Sequence, residues 1–196
     1  MLTPRRLIVL VAAVAVAGLA GAGCSEQSAA VRVGDRTVSQ SDFEAELDAF
    51  ASSQAFVQDP DSVAGELPGS YTQEFVAAAL GQRIEFMLAE QVFDEQDLEV
   101  TDDDRSNVTE QLQGALDDMS EGLRNSLIDD LSRRLRLQGE LGQQGYGEAI
   151  TEAADATEIE VSSHYGSWDR DQYTVVPPDG PVSPGGGPDG ESPGDG

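Results

Sequence analysis

The sequence predicts a mainly α domain, a helical bundle completed by a small antiparallel sheet formed by N- and C-terminal strands. Three observations predict it. Apolar residues recur at helical spacing through most of positions 40 to 141. Short runs that alternate apolar and polar side chains stand near Val31 and again near Val161, at the two ends of that helical stretch. A single cysteine, Cys24, excludes a disulfide framework, so a domain of about 145 residues between Val31 and Val176 must be held by its core.

The chain opens with Arg5-Arg6, an apolar run from Leu7 to Ala20, and the small residues Gly21-Ala22-Gly23. A basic start, a short apolar stretch and small residues form an export signal over residues 1–23, a processing segment outside the fold. The junction before Cys24 resembles the bacterial lipobox, with Gly21 where that motif usually carries Leu. The resemblance implies that the Cys24 thiol receives a diacylglyceryl group and becomes the new N-terminus. Residues 24–30 are then a lipidated tether, and the protein is anchored on the extracytoplasmic face of the cell membrane. A soluble secreted protein with a free thiol and an uncleaved single-span anchor are the alternatives, and both also place the remaining chain outside the cytoplasm.

Formal net charge is -26, and removal of Arg5 and Arg6 with the signal takes it to -28. Phosphate backbones and anionic headgroups repel such a surface, which excludes nucleic acid as a partner and leaves the lipid as the membrane link. All eleven basic residues are arginine, which points to a GC-rich coding bias and fits an actinobacterial source. The stretch Pro177 to Gly196 holds six prolines, seven glycines and four acids, and the composition predicts a disordered, solvated tail over residues 177–196.

Between these ends the elements follow in order. Val31-Arg32-Val33 and Arg36-Thr37-Val38 flank Gly34-Asp35, whose glycine suits a tight hairpin turn of positive φ. Ser39 with Asp42, or Ser41 with Glu44, caps a first helix from Gln40 to Ser53 carrying Phe43, Leu47 and Phe50 on one face. Pro60, Gly65, Pro68 and Gly69 predict a loop over Gln54 to Gly69. Tyr71 to Gln96 is the longest helical stretch, with one apolar stripe through Val76, Leu80, Ile84, Met87, Leu88 and Val92 and a second through Phe75, Ala79, Phe86 and Phe93. Two stripes predict burial on two sides, as the spine of a bundle or with one face open as a groove. Gly81 within it permits a close crossing or a slight bend. Thr101 and three aspartates start a third helix through Val108, Leu112, Ala115 and Met119. Ser120 and Glu121 start a fourth through Leu123, Leu127, Leu131 and Leu135, with Arg133, Arg134 and Arg136 complementing its dipole. Gly142, Gly145 and Gly147 predict a break, Glu148 to Ala154 a short helix, and Thr157 to Val161 a strand that pairs with Val31–Val33 or with Arg36–Val38.

Val33 to Phe43, with its tight turn, aliphatic and hydroxyl residues and early aromatic, resembles the opening of the SurA N-terminal domain, shared by parvulin-type foldases such as the PrsA lipoproteins. Ile84 to Asp104, including Leu98-Glu99-Val100-Thr101-Asp102, is similar to that family's central helix, its exit turn and the acidic cap that follows. The first turn differs, with Gly34-Asp35 where the family commonly has Asn-Gly. The resemblance covers most of Val31 to Leu141 and implies a chaperone-like helical module that holds newly exported polypeptides.

The parvulin half has no counterpart. Only Gly142 to Gln172 follows the helices, His164 is the sole histidine, and prolyl isomerase chemistry has no place. Neither a metal cluster nor a nucleophile motif nor a phosphate-binding glycine loop is present, so no cofactor is expected. The expectation is a non-catalytic protein that binds unfolded or partly folded exported polypeptides. Its client surface is placed at Phe43, Leu47, Phe50, Phe75, Phe86 and Met87, because aromatic rings and Met adapt to varied apolar segments. The alternative is a structural or adaptor lipoprotein with one specific cell-envelope partner. Tyr165 and Trp168 either cap the core beneath the small sheet or present an aromatic recognition patch.

Overall fold

The computed structural model describes residues 28–53, 57, 63–67, 69–112, 114–117 and 119–178. The expected signal, Cys24, and the tail beyond Pro178 lie outside them. Five strands and four helices follow in the order β1 (Ala29–Val33), β2 (Arg36–Ser39), α1 (Gln40–Ser52), α2 (Gln73–Glu95), α3 (Asp102–Gln111), α4 (Glu121–Ala156), β3 (Ile159–Val161), β4 (Ser167–Asp169) and β5 (Thr174–Val176). The class is therefore mainly α with a small antiparallel sheet made from both ends of the domain. Ala29 and Ala30 already belong to β1, and Ala30 is fully buried, so the sheet begins inside the expected tether.

The sheet runs β2-β1-β3, all antiparallel. Gly34 turns the first hairpin at φ 59°, while Asp35 keeps a negative φ, the combination a type II′ turn requires. Of the two pairings open to the last strand, β3 takes β1, with Val31 opposite Val161 and Val33 opposite Ile159. The exposed pair Arg32 and Glu160 meets across the strands at 2.9 Å.

Every helix start is capped by the hydroxyl residue before it. Ser39 accepts from the Asp42 amide, Thr72 from Phe75, Thr101 from Asp104 and Ser120 from Leu123. Thr101 and Asp104 complete a reciprocal capping box, and those hydrogen bonds hold the Asp104 carboxyl below its ordinary range. The core forms where α2 crosses α1, α4 and the sheet, around Phe43, Leu47, Leu80, Ile84, Phe86 and Leu127.

Three expectations change. The third helix stops at Gln111, and Gly114 at φ 87° turns the chain, although Ala115, Leu116 and Met119 still reach the core. Arg124 Nε donates to the Leu116 carbonyl at 3.0 Å and fixes that turn against α4. The break after the bundle is confined to Gly142, whose φ of 73° and ψ of 169° suit glycine alone, whereas Gly145 and Gly147 are helical. Arg133 and Arg134 reach across to carboxylates on α2 instead of serving the helix end, because a terminal dipole acts only over its last turn. The loop before α2 is also partly built. Val57 and Val63 are buried, and Ala64 bridges Tyr71.

Candidate binding cleft

Helix α2 has two faces with different chemistry. On the first, Leu80, Arg83 and Met87 share a stripe, so the periodicity that buries the two apolar side chains buries the arginine with them. Arg83 donates from both ends of its guanidinium to Glu46 of α1, at 2.6 and 3.0 Å, and to Asp130 of α4 at 2.8 Å. Its charge also lies 5.7 Å from the centre of the Phe86 ring. Burial works against the Arg83 charge, but Glu46 and then Asp130 outweigh it and hold the guanidinium protonated above its usual range. Burial likewise pushes the Glu46 and Asp130 carboxyls up, against the pull of Arg83. Beside this triad a polar hollow of about 460 Å³ is lined by Arg36, Arg83, Glu90 and Arg133. Its arginines are compensated: Arg36 meets Glu90 and Asp94 at 3.1 and 2.8 Å, and Arg133 meets Asp130 at 3.1 Å.

On the second face, Ala77, Ala78 and Gly81 leave a trough, flanked further along α2 by Ile84, Glu85 and Leu88. A β-carbon built on Gly81 meets no atom within 4 Å, so it would stand in open space. The part of α4 beyond Gly142 supplies the opposite wall through Tyr146, Gly147, Ile150 and Ala154, again at helical spacing. The hairpin β4–β5 closes the third side with Trp168, Tyr173, Thr174 and Val175. Trp168 and Val175 face one another across the two strands. Together these elements enclose a cleft of about 710 Å³, within the range of about 300–1,000 Å³ usual for ligand pockets.

A polar cluster stands in the cleft wall. Tyr146 donates to Glu85 Oε1 at 2.7 Å, and Arg134 approaches the same oxygen at 3.5 Å. Burial, then the hydrogen bond and charge of Glu85, push the Tyr146 phenol well above its ordinary value. Glu85 thus presents an acceptor and Arg134 a donor at the wall of the cleft, with the Tyr146 phenol held protonated beside them. Among the described residues, no group of three or more His, Cys, Asp or Glu is placed to hold a metal ion. No helix of the described chain is long and apolar enough to cross a membrane.

The expected client surface is corrected by burial. Phe43, Leu47, Phe50, Phe86 and Met87 are all at least nine-tenths buried, because they seal α1 and α2 against the sheet and α4. Phe75 alone is partly exposed, and it packs on Tyr71 with ring centres 5.5 Å apart, away from the cleft lining. The two late aromatics separate. Tyr165 is 1 % exposed and meets Phe43 edge-on at 5.1 Å, which makes it a core cap. Trp168 is half-buried and lines the cleft. His164 is partly exposed and stacks edge-on against Tyr165.

Sequence reasoning missed the hairpin β4–β5 and therefore the third wall. A signal existed. Tyr173-Thr174-Val175-Val176 is rich in β-branched residues, and Asp169 accepts amide hydrogens from Asp171 and Gln172 at 2.9 and 3.1 Å to close the turn. Comparisons with protein-family models, with curated proteins and with solved structures give no match.

Proposed function

We propose that this chain is a lipid-anchored, extracytoplasmic binding protein that takes a short extended stretch of an exported polypeptide into the cleft without catalysis, in a chaperone-like manner. The observation that carries the reading is the trough of Ala77, Ala78 and Gly81 facing Trp168 and Tyr146, a slot in which apolar walls alternate with polar groups. The export signal before Cys24 and the resemblance of Val33–Phe43 and Ile84–Asp104 to a polypeptide-holding module support it.

A second reading, an adaptor for one fixed envelope partner, draws on the closed core. Large exposed apolar side chains among the described residues are scattered at Leu67, Leu135, Tyr173 and Val176 and form no broad holding surface. One experiment separates the two. At near-equal molar ratio, the purified mature domain slows aggregation of several unrelated unfolding proteins, and Gly81→Leu, which fills the trough, removes the effect. Failure to protect any of them, with one envelope protein captured and lost again in Gly81→Leu, replaces the holding role by the adaptor role. The anchor has its own test: Cys24→Ser releases the protein from the membrane fraction, and retention of an uncut chain after high-salt washing overturns the lipid anchor.

A further inference from the structure

The lips of the cleft carry a charge pattern that its floor does not. On α4, Glu148, Glu152 and Asp155 follow one another at steps of four and three, which puts them on one exposed face. They line a shallow hollow that shares Gln143, Gly147 and Thr151 with the cleft, so the acidic face continues directly from its wall. Glu74 lines the cleft from α2. The neighbouring cations are already compensated. Arg134 stands 3.5 Å from Glu85, and Arg170 stands 3.7 Å from Asp155. Glu74, Glu148 and Glu152 form no ion pair among the described residues. The aromatic lining points the same way, because Trp168 and Tyr173 both line the cleft and aromatic rings attract a cation that enters beside them.

We infer that the cleft selects polypeptide segments in which an apolar anchor is flanked by basic side chains. The inference rests on the proposed polypeptide-binding role and adds the chemistry of the segment. The anchor fills the trough at Gly81, where a side chain meets open space, and the flanking Lys or Arg residues reach Glu74 on one lip and Glu148 and Glu152 on the other. Opposed charge at an exposed rim gives selectivity and faster encounter, while the buried anchor supplies most of the hold.

Trp168 is the only tryptophan of the chain and lines the cleft, so its emission reports occupancy without a label. Three synthetic peptides of equal length share one apolar centre and differ in their flanks, which are Arg, Gln or Glu. With the full mature chain, the Arg-flanked peptide shifts Trp168 emission at about tenfold lower concentration than the Gln-flanked one. That advantage shrinks as salt is raised. Glu148→Gln with Glu152→Gln removes most of the advantage and leaves the Gln-flanked peptide unaffected. A control of equal charge loss away from the cleft, Glu99→Gln with Glu110→Gln, keeps it.

Equal binding of the Arg- and Glu-flanked peptides overturns the inference and leaves the polypeptide-binding cleft standing. So does an equal loss in the control pair, which assigns the preference to the acidic surface at large. No response of Trp168 to any of the three peptides overturns the inference and the binding role together. A circular dichroism melt of each variant shows that the fold is retained.

Discussion

The two faces of α2 begin from similar sequence and end as opposites. Around Arg83 the helix is tightly packed: large apolar side chains flank the guanidinium, and it is tied to carboxylates of α1 and α4 beside a polar hollow. Around Gly81, two residues earlier on α2, the helix is open because the side chains are too small to reach the opposite wall. Apolar content does not distinguish a core from a cleft here. Side-chain size does, together with whether each charge has a partner.

The largest expected effect lies on the packed face. Arg83→Met leaves Glu46 buried without a counter-charge and Asp130 with Arg133 alone, and should cost about 3–5 kcal/mol, read from the denaturant midpoint. Replacing Glu46 by Gln and Asp130 by Asn in the same chain should recover much of that loss, and a failure to recover would place the role of Arg83 in its packing. Phe86→Ala should cost a comparable 3–5 kcal/mol and strip the ring from beside the Arg83 charge. Were Phe86→Ala to leave stability intact while weakening binding, Phe86 would belong to the site after all.

A smaller effect is expected on the open face. Tyr146→Phe removes the donor to Glu85 and should cost roughly 1 kcal/mol at neutral pH. The sign with pH follows from the raised phenol. Its contribution is complete below pH 10.0, the value from which Tyr146 is raised, and is lost as pH climbs through the higher folded value. Melts of the two proteins should therefore converge in strong alkali. The smallest change should have the opposite sign. Gly81→Ala adds a methyl group into open space and a better helix former, so it should stabilise by up to about 1 kcal/mol. A loss of stability would mean that the trough is tighter than its geometry implies.

What was legible in the sequence was local. Ser39, Thr101 and Ser120 mark helix starts through hydrogen bonds that span three residues, and Gly34 marks its turn through its own backbone. The strand Ile159–Val161 could be predicted by its alternation. Its choice of β1 over β2 could not, since both neighbours alternate in the same way. The ion triad was hidden because it joins positions 46, 83 and 130, which approach only after three helices pack. Its signal was present nonetheless, in a charged residue on an apolar stripe of α2. The expected client residues prove buried for a related reason. Phe43, Leu47, Phe50, Phe86 and Met87 were the side chains the core needed, whereas the α2 side of the open cleft is built around alanine and glycine, which carry no such signal.

The sheet order β2-β1-β3 has a consequence for how the chain comes together in time. Ala29–Val33 leaves the ribosome early, and its hairpin with β2 needs only a short wait. Its other edge is completed by a strand 128 residues later, the separation between Arg32 and Glu160. Loop closure over that distance is slow, so until nearly the whole domain has emerged the central strand keeps one row of amides and carbonyls without a partner. Folding therefore yields helices first and a closed domain only at the end, and a mature chain truncated before Ile159 should stay open to protease even where α2 forms.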